Sequence, residues 1–358
     1  MTEFCTHPDY YTKKKEAITT VSQWIGTSNQ TYAPYAMEEL RRLLPGTSFA
    51  QLAAGEVFLM ECQLDREEVL GLIREQEPIF LRHIQPVDRT LTVSGNAEDL
   101  ELLGEMVRNA RLTFMDKRTA VHIRRNANAA FHYSASDTKA LLDAVLEEWD
   151  AEPVVQQPEV IISIYAAGDK LFVGFGASAD MLSDWPGGAV RFQREEGQIS
   201  RAKFKLLEAE RAFGLHYETF RSALDIGAAP GGWTSLLLER GLRVTAIDPA
   251  DMHPSLLSHP LLTHLKKNAS EAKLQAGSFD LLVCDMSWSP MLMSRLVLDL
   301  KDSLKEDAEA IVTVKLMHRK PLQTIREVKE RLSTGFTVIK AKQLFHNREE
   351  ITLYLRKK

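Results

Sequence analysis

The run Asp225-Ile-Gly227-Ala228-Ala-Pro230-Gly231-Gly232-Trp233 is built to bring its main chain close to a ligand. It follows the apolar stretch 222–226 and leads into Leu236-Leu237-Leu238, so it reads as a turn between a buried strand and a helix. Glycine lacks the Cβ that holds a backbone away from its neighbours. The start of the helix then offers free amide donors and a field that favours an anion. Asp248 ends the next apolar run, about 20 residues after the first glycine, where a carboxylate can accept bonds from both hydroxyls of a ribose. A nicotinamide site would need G-x-G-x-x-G, and a Walker A loop would need a Gly-Lys-Ser/Thr end; neither is present. A nucleoside that carries a carboxylate fits this loop, and the methionine carboxylate of S-adenosylmethionine can use the helix end. Asp285 and Lys315 each end an apolar run of their own. Ligands of an open α/β sheet gather beyond the carboxyl ends of its strands, so these two side chains should share an edge with the loop.

The elements that would hold these residues alternate. From residue 200 an amphipathic helix over 201–213 precedes strands near 222–227, 243–248, 279–285, 310–315, 336–340 and 350–355, with helical stretches between most of them. That order predicts a mostly parallel, Rossmann-like sheet. Ahead of it, a short helix over 38–44 stops at Pro45-Gly46, a strand runs over 55–62, Asp65 caps a helix over 66–74, and 78–84 returns as a strand. This is the pattern of a small ferredoxin-like α+β unit. A second α+β unit has a helix over 100–110, a strand over 120–124, a helix over 136–149 and two antiparallel strands around the turn 167–169. The stretch 183–189, Ser-Asp-Trp-Pro-Gly-Gly-Ala, marks a linker. The boundaries expected are 1–92, 93–182, a linker over 183–199, and 200–358.

A chain of 358 residues with 44% hydrophobic and 26% charged residues has ordinary globular composition and room for two or three cores. Its start lacks the basic-then-apolar pattern of a secretion signal, and no run of about 18 apolar residues occurs, so a cytoplasmic protein off the membrane is expected. Cys5, Cys62 and Cys284 are too few and too scattered for a disulfide framework or a four-thiolate zinc site. No two histidines sit at i, i+4 beside a carboxylate, so no metal is expected. The net charge of −5 hides an asymmetry: residues 315–358 hold twelve basic and four acidic residues, a segment of net +8 after one of net −13. Such a basic end suits a polyanion.

The loop at 225–233 resembles the cofactor motif of the FtsJ-like RNA ribose methyltransferases, and further marks of that family occur in order. Ser200-Arg-Ala-Lys-Phe-Lys205-Leu precedes the loop, Asp285 ends Phe279-Asp-Leu-Leu-Val-Cys-Asp, Lys315 ends Ile311-Val-Thr-Val-Lys, and Glu350 begins the final strand. The stretch 341–352, Ala-Lys-Gln-Leu-Phe-His-Asn-Arg-Glu-Glu-Ile-Thr, is similar to the C-terminal signature of the family members that methylate a cytidine ribose of large-subunit rRNA. Those members carry a ferredoxin-like piece and a THUMP domain ahead of the catalytic domain. The resemblance implies a catalytic set of Lys205, Asp285, Lys315 and Glu350. It also implies an antiparallel last strand and S-adenosylmethionine held by Asp225, Gly227, Ala228, Pro230, Gly231, Gly232, Trp233, Asp248, Asn268 and Asp285. Asn268 departs from the pattern, which commonly has an aspartate against the adenine; an amide can still accept there.

The reaction so implied is an in-line displacement of a methyl group by a ribose 2′-oxygen. The protein must position that oxygen and help remove its proton. Lys315 is the candidate base, with orientation of the oxygen by the charged form as the alternative. Lys205 and desolvation would lower its pKa, while Asp285 and Glu350 would raise it. Met286-Ser287-Trp288 is not the Pro-Pro-aromatic sequence of base-amine methyltransferases, and strand alternation turns Cys284 away from Asp285 and into the core. The expected partner is rRNA, with tRNA as the alternative substrate. A non-catalytic RNA-binding assembly factor is the reading from a different class, which the intact tetrad argues against.

Overall fold

A computed structural model describes residues 21–194, 196–318 and 320–358. Cys5 and the N-terminal residues read for a secretion signal lie outside them.

The first unit runs β1 (Ser22–Thr27), α1 (Ala33–Leu43), β2 (Ser48–Ala53), β3 (Val57–Cys62), α2 (Arg66–Glu75) and β4 (His83–Pro86). Its antiparallel sheet has the order β2-β3-β1-β4, which with this chain order is the ferredoxin-like arrangement. Asp65 caps α2 as expected: its side chain accepts from the Glu68 amide, and Glu68 reaches back to the Asp65 amide. The strand expected over 78–84 forms only from His83 to Pro86. Upstream of it the chain packs instead of pairing. Glu39 accepts the amides of Ile79 and Phe80 at 3.0 and 2.9 Å, and the Phe80 ring stacks on Tyr32 at 5.4 Å.

The second unit contains β5 (Arg89–Thr92), α3 (Glu98–Asn109), α4 (Arg111–Phe114), β6 (Arg118–Arg125), α5 (Ala135–Glu147), β7 (Glu152–Pro153), β8 (Val160–Ala167) and β9 (Lys170–Ala177). The sheet order is β5-β9-β8-β6-β7, and β8 and β9 form the expected antiparallel pair. The 183–189 stretch is not a free tether. Gly187 and Gly188 are buried, Arg82 donates to the Gly187 carbonyl at 2.9 Å, and a Cβ on Gly187 would lie 2.4 Å from an Arg124 nitrogen. Only glycine lets this turn enter the seam between the first two units.

The third unit carries α6 (Ala202–Phe213), β10 (Ser222–Ile226), α7 (Gly232–Glu239), β11 (Arg243–Ile247), α8 (Pro254–Leu257), β12 (Leu262–Leu265), β13 (Phe279–Cys284), α9 (Pro290–Asp299), β14 (Leu304–Lys315), α10 (Pro321–Leu332), β15 (Phe336–Lys342) and β16 (Glu350–Lys357). Its seven strands are ordered β12-β11-β10-β13-β14-β16-β15. β16 runs antiparallel to both neighbours and the other pairs are parallel, so the expected Rossmann-like sheet with an antiparallel last strand is present. Each face has its own core. Leu206, Leu236, Leu281, Val283 and Ile311 pack on the α6 and α7 side, and Leu282, Cys284, Val312, Met293 and Val328 on the α9 and α10 side. The second of these cores continues into the first unit through Trp24, Phe58 and Phe80.

Candidate active site

Strand alternation sorts the candidate residues before any side chain is considered. On β13, Leu281 and Val283 face α6, so Asp285 continues that row while Cys284 falls on the opposite side. On β14 the same row is Ile311, Thr313 and Lys315, and on β16 it is Tyr354, Thr352 and Glu350. The register pairs Lys315 directly with Glu350. α6 lies over this row and carries Lys205.

These four residues therefore meet at one edge. The Lys205 ammonium donates to both Asp285 oxygens at 3.1 Å and pairs with Glu350 Oε1 at 2.5 Å. Burial works against the Lys205 charge, but Asp285 and Glu350 outweigh it and hold the pKa above the usual lysine value. Lys205 is thus fixed as a cation. Thr313 donates to Asp285 Oδ1 at 2.8 Å, orienting the carboxylate from the adjacent strand. Sequence reading passed over Thr313; its place in the inward row, two residues before Lys315, was the available signal. Lys315 is exposed, and no carboxylate pairs with it among the described residues. The tertiary arrangement gives Lys205 both acids and leaves Lys315 available.

The loop divides into an open part and a packed part. Gly227, Pro230, Asp248 and Asn268 reach solvent, whereas Asp225, Ala228, Gly231, Gly232 and Trp233 are buried. Asp248 accepts the amides of Ala229 at 3.1 Å and Ala250 at 2.7 Å, so it shapes the loop while keeping other lone pairs for a ligand. Gly231 caps α7 at φ 113°, and a Cβ there would lie 2.3 Å from Leu256; one on Gly232 would lie 2.3 Å from the Ser200 hydroxyl. Trp233 donates from its indole to the Ala202 carbonyl at 2.8 Å. These three residues lock the loop onto α6 and α8. The sequence pattern shows that glycine is required but not which neighbour requires it. Exposed Asn268 donates to Glu271 at 2.9 Å through its amide nitrogen, a bond that does not use its amide oxygen. Asp225 accepts from Thr234 at 2.6 Å; burial pushes its pKa up to about 7 against that bond, and Asp285 and Asp248 add to the rise.

Cys284 is fully buried, and burial drives its thiol pKa far up, which removes it as a nucleophile. No helix among the described residues is long and apolar enough to cross a membrane.

Residues 198–349 match the FtsJ-like methyltransferase family. This part of the chain is an FtsJ-like methyltransferase domain. Curated relatives named Ribosomal RNA large subunit methyltransferase M align with it. The protein of Halorhodospira halophila is 39% identical over 184 residues, 48% of this chain and 51% of that one. The protein of Laribacter hongkongensis is 36% identical over 185 residues, again 48% and 51%. The protein of Pseudomonas entomophila is 33% identical over 217 residues, 56% of this chain and 59% of that one. The matched region thus spans between half and three-fifths of these relatives.

The 341–352 stretch of the FtsJ-like domain has a structural part that sequence reading did not assign. Lys342 pairs with Glu77 and donates to the Pro78 carbonyl at 3.1 Å, and the Gln343 amide donates to the Ile79 carbonyl at 2.9 Å. Asn29 donates to the carbonyls of Leu344 at 2.8 Å and Asn347 at 3.0 Å. On the other side Glu208 of α6 accepts the amides of Phe345 and His346 at 2.7 and 2.9 Å. Burial raises the Glu208 pKa to about 7, opposed by those amides and by Arg82. The loop between β15 and β16 is therefore a clip that ties the catalytic domain to the first unit. A cleft of 990 Å³ lies beside the clip, lined by Arg74, Arg82, Glu208 and Lys342 where the three units meet. None of Lys205, Asp285, Lys315 and Glu350 lines it.

Proposed function

We propose that this protein transfers the methyl group of S-adenosylmethionine to a ribose 2′-hydroxyl of structured RNA, a cytidine of large-subunit rRNA, in the cytoplasm. The observation that carries this reading is the edge where Lys205 bridges Asp285 and Glu350 while Lys315, opposite Glu350, stays available. The relatives' names add the RNA class.

The donor set suits the cofactor. Asp225, Asp248 and Asp285 lie close enough to influence one another, and they favour a ligand with a sulfonium and an ammonium against one carboxylate. Asp248 would take the ribose hydroxyls, the amide oxygen of Asn268 the adenine, and the glycine turn at Gly227 the methionyl end. When bound, this group supplies an electrophilic methyl on sulfur.

The chain's own residues do the rest. Lys205 is held charged, so it takes no proton; it fixes the two carboxylates and presents positive charge to the attacking oxygen. Lys315 receives the 2′-hydroxyl, aligns its lone pair and takes its proton as the oxygen attacks. The two preceding units, 1–92 and 93–182 with the second THUMP-like, recruit the RNA, because one basic edge supplies attachment but little discrimination.

Two tests decide this. Mapping 2′-O-methylation across total RNA with and without the gene should reveal one missing large-subunit mark; an unchanged map overturns the reading. In vitro, an rRNA fragment with the target nucleotide in 2′-deoxy form should accept no methyl group, and incorporation into it would exclude ribose chemistry.

A further inference from the structure

Five tryptophans occur in the chain, and burial separates them sharply. Trp24 and Trp233 are buried, Trp149 and Trp185 are partly covered, and Trp288 alone is exposed, at 40%. It stands three residues beyond Asp285, in the irregular segment between β13 and Ser289, the residue that caps α9 by accepting from the Leu292 amide. The segment leaving the neighbouring strand β14 carries Lys315 and then Met317, which is 52% exposed. β13 and β14 run parallel and side by side, with Cys284 beside Val312 and Asp285 bonded to Thr313, so the two segments leave the sheet together. Leu292, on the first turn of α9, is also exposed. Single exposed apolar residues are ordinary; an indole, a thioether and a leucine from two adjacent segments beside the reacting edge are not scattered.

We infer that Trp288 is a stacking platform for an unpaired base of the RNA strand that carries the target ribose, with Met317 as the apolar wall across from it. This rests on the proposed RNA methyltransfer. The physical case is that a ribose hydroxyl can reach Lys315 only if its nucleotide leaves the stack, and an exposed aromatic face is the usual replacement for the lost stacking partner. The indole offers a rigid flat face, and Lys315 on the adjacent segment stands where the ribose of that strand must arrive.

The test uses the full chain. Without cofactor, a titration with oligocytidylate of about ten nucleotides should quench tryptophan emission saturably in the wild type and lose most of that quench in Trp288→Phe. With S-adenosylmethionine and unmodified large-subunit rRNA, Trp288→Ala should raise the KM for RNA by about ten-fold or more at unchanged cofactor affinity, and Trp288→Phe should recover most of it. An undiminished quench in Trp288→Phe, or an unchanged KM in Trp288→Ala, overturns the platform and leaves Trp288 as a contact for a protein. A wild type that quenches through Trp288 but transfers no methyl group would instead overturn the methyltransfer reading and leave the stacking site standing.

Discussion

The edge where Lys205, Asp285, Lys315 and Glu350 meet and the seam between the first two units both hold half-buried or buried charge, and they treat it in opposite ways. At the edge, Lys205 sits between two carboxylates and Thr313 satisfies one of them. At the seam, β4 presents His83 and Gln85 to His122 and Arg124 of β6, with Arg82 alongside. There Arg82 pairs with Glu56 at 3.1 Å. Of twelve buried side-chain polar atoms without a partner among the described residues, six belong to Thr27, Ser28, His83, Gln85 and His122 at this seam, and none to Lys205, Asp285, Lys315 or Glu350. Apolar packing of Ile25 and Val57 from the first unit against Tyr165 and Phe172 from the second accompanies these polar groups. The clip formed by Asn29, Glu77, Glu208 and residues 342–347 joins the third unit to the first and lies outside this seam. At the edge every charge is answered except that of Lys315; at the seam Arg82 and Arg124 stand among uncharged His83, Gln85 and His122.

The largest effect that would break this contrast is on Lys315. Lys315→Ala should lower transfer by about a thousand-fold while calorimetry finds S-adenosylmethionine binding unchanged, because the loop and Asp248 hold the cofactor. Lys315→Arg should be nearly as inactive, since a guanidinium keeps its charge. Near-normal turnover in Lys315→Ala would move the proton chemistry elsewhere.

Next comes Lys205→Met, which leaves Asp285 and Glu350 facing each other without their cation. Transfer should fall by roughly a hundred-fold, measured as kcat at saturating cofactor. A loss confined to the KM for RNA would make Lys205 an attachment residue only.

At the clip, Asn29→Ala removes two bonds to the carbonyls of Leu344 and Asn347 and should lower unfolding stability by about 1–3 kcal/mol, read from denaturant midpoints. Cofactor affinity should stay within two-fold or so, because the loop at 225–233 is untouched. For the cofactor itself, Asp248→Ala is the cleaner probe than any replacement of Gly231, whose Cβ would collide with Leu256 and disturb the fold.

The smallest effects are in pH, and they have opposite signs in the two regions. Burial, with Arg124 and Lys139 adding to it, depresses His122 from 6.5 to about 4, so the folded state binds fewer protons and stability falls as pH drops from about 6.5 towards 4. Asp225 is raised from 3.8 to about 7, so its contribution is present at low pH and is lost as pH rises through 7. Denaturation midpoints between pH 4 and 8 should show a flatter acid side in His122→Gln and a flatter neutral side in Asp225→Asn. The same slope change in both variants would contradict the assignment.

Much of the catalytic domain was legible because its signals are local. Strands with Val, Ile and Leu runs, each ended by a charged residue, marked Asp285 and Lys315, and a glycine turn between strand and helix marked the loop. Strands escaped notice for different reasons: β12 spans four residues and β2 has no buried side chain, whereas β1 is buried from Trp24 to Thr27 but shows only Trp24 and Ile25 as an apolar signal. The 78–82 stretch looked like a strand because apolar residues alone do not say whether a partner is a strand or a helix face. The two α+β units ahead of the sheet could be read as a pattern of elements, but their seam could not, because no motif marks His83, His122, Arg82 and Arg124 as neighbours.

By itself, the sequence determined the residue types at each strand end, the period-two rows that put Asp285, Lys315 and Glu350 on one face, and the glycines without which the loop and the 187–188 turn could not close. The tertiary structure alone decided which partner each charge receives. It gave Lys205 both carboxylates and left Lys315 open, turned Gly231 and Trp233 into packing residues, and made the 341–352 signature a clip to a unit about 300 residues earlier in the chain. The reason is that a hydrogen bond or an ion pair depends on angstrom distances between segments far apart in sequence, whereas periodicity and turn chemistry depend only on neighbours along the chain.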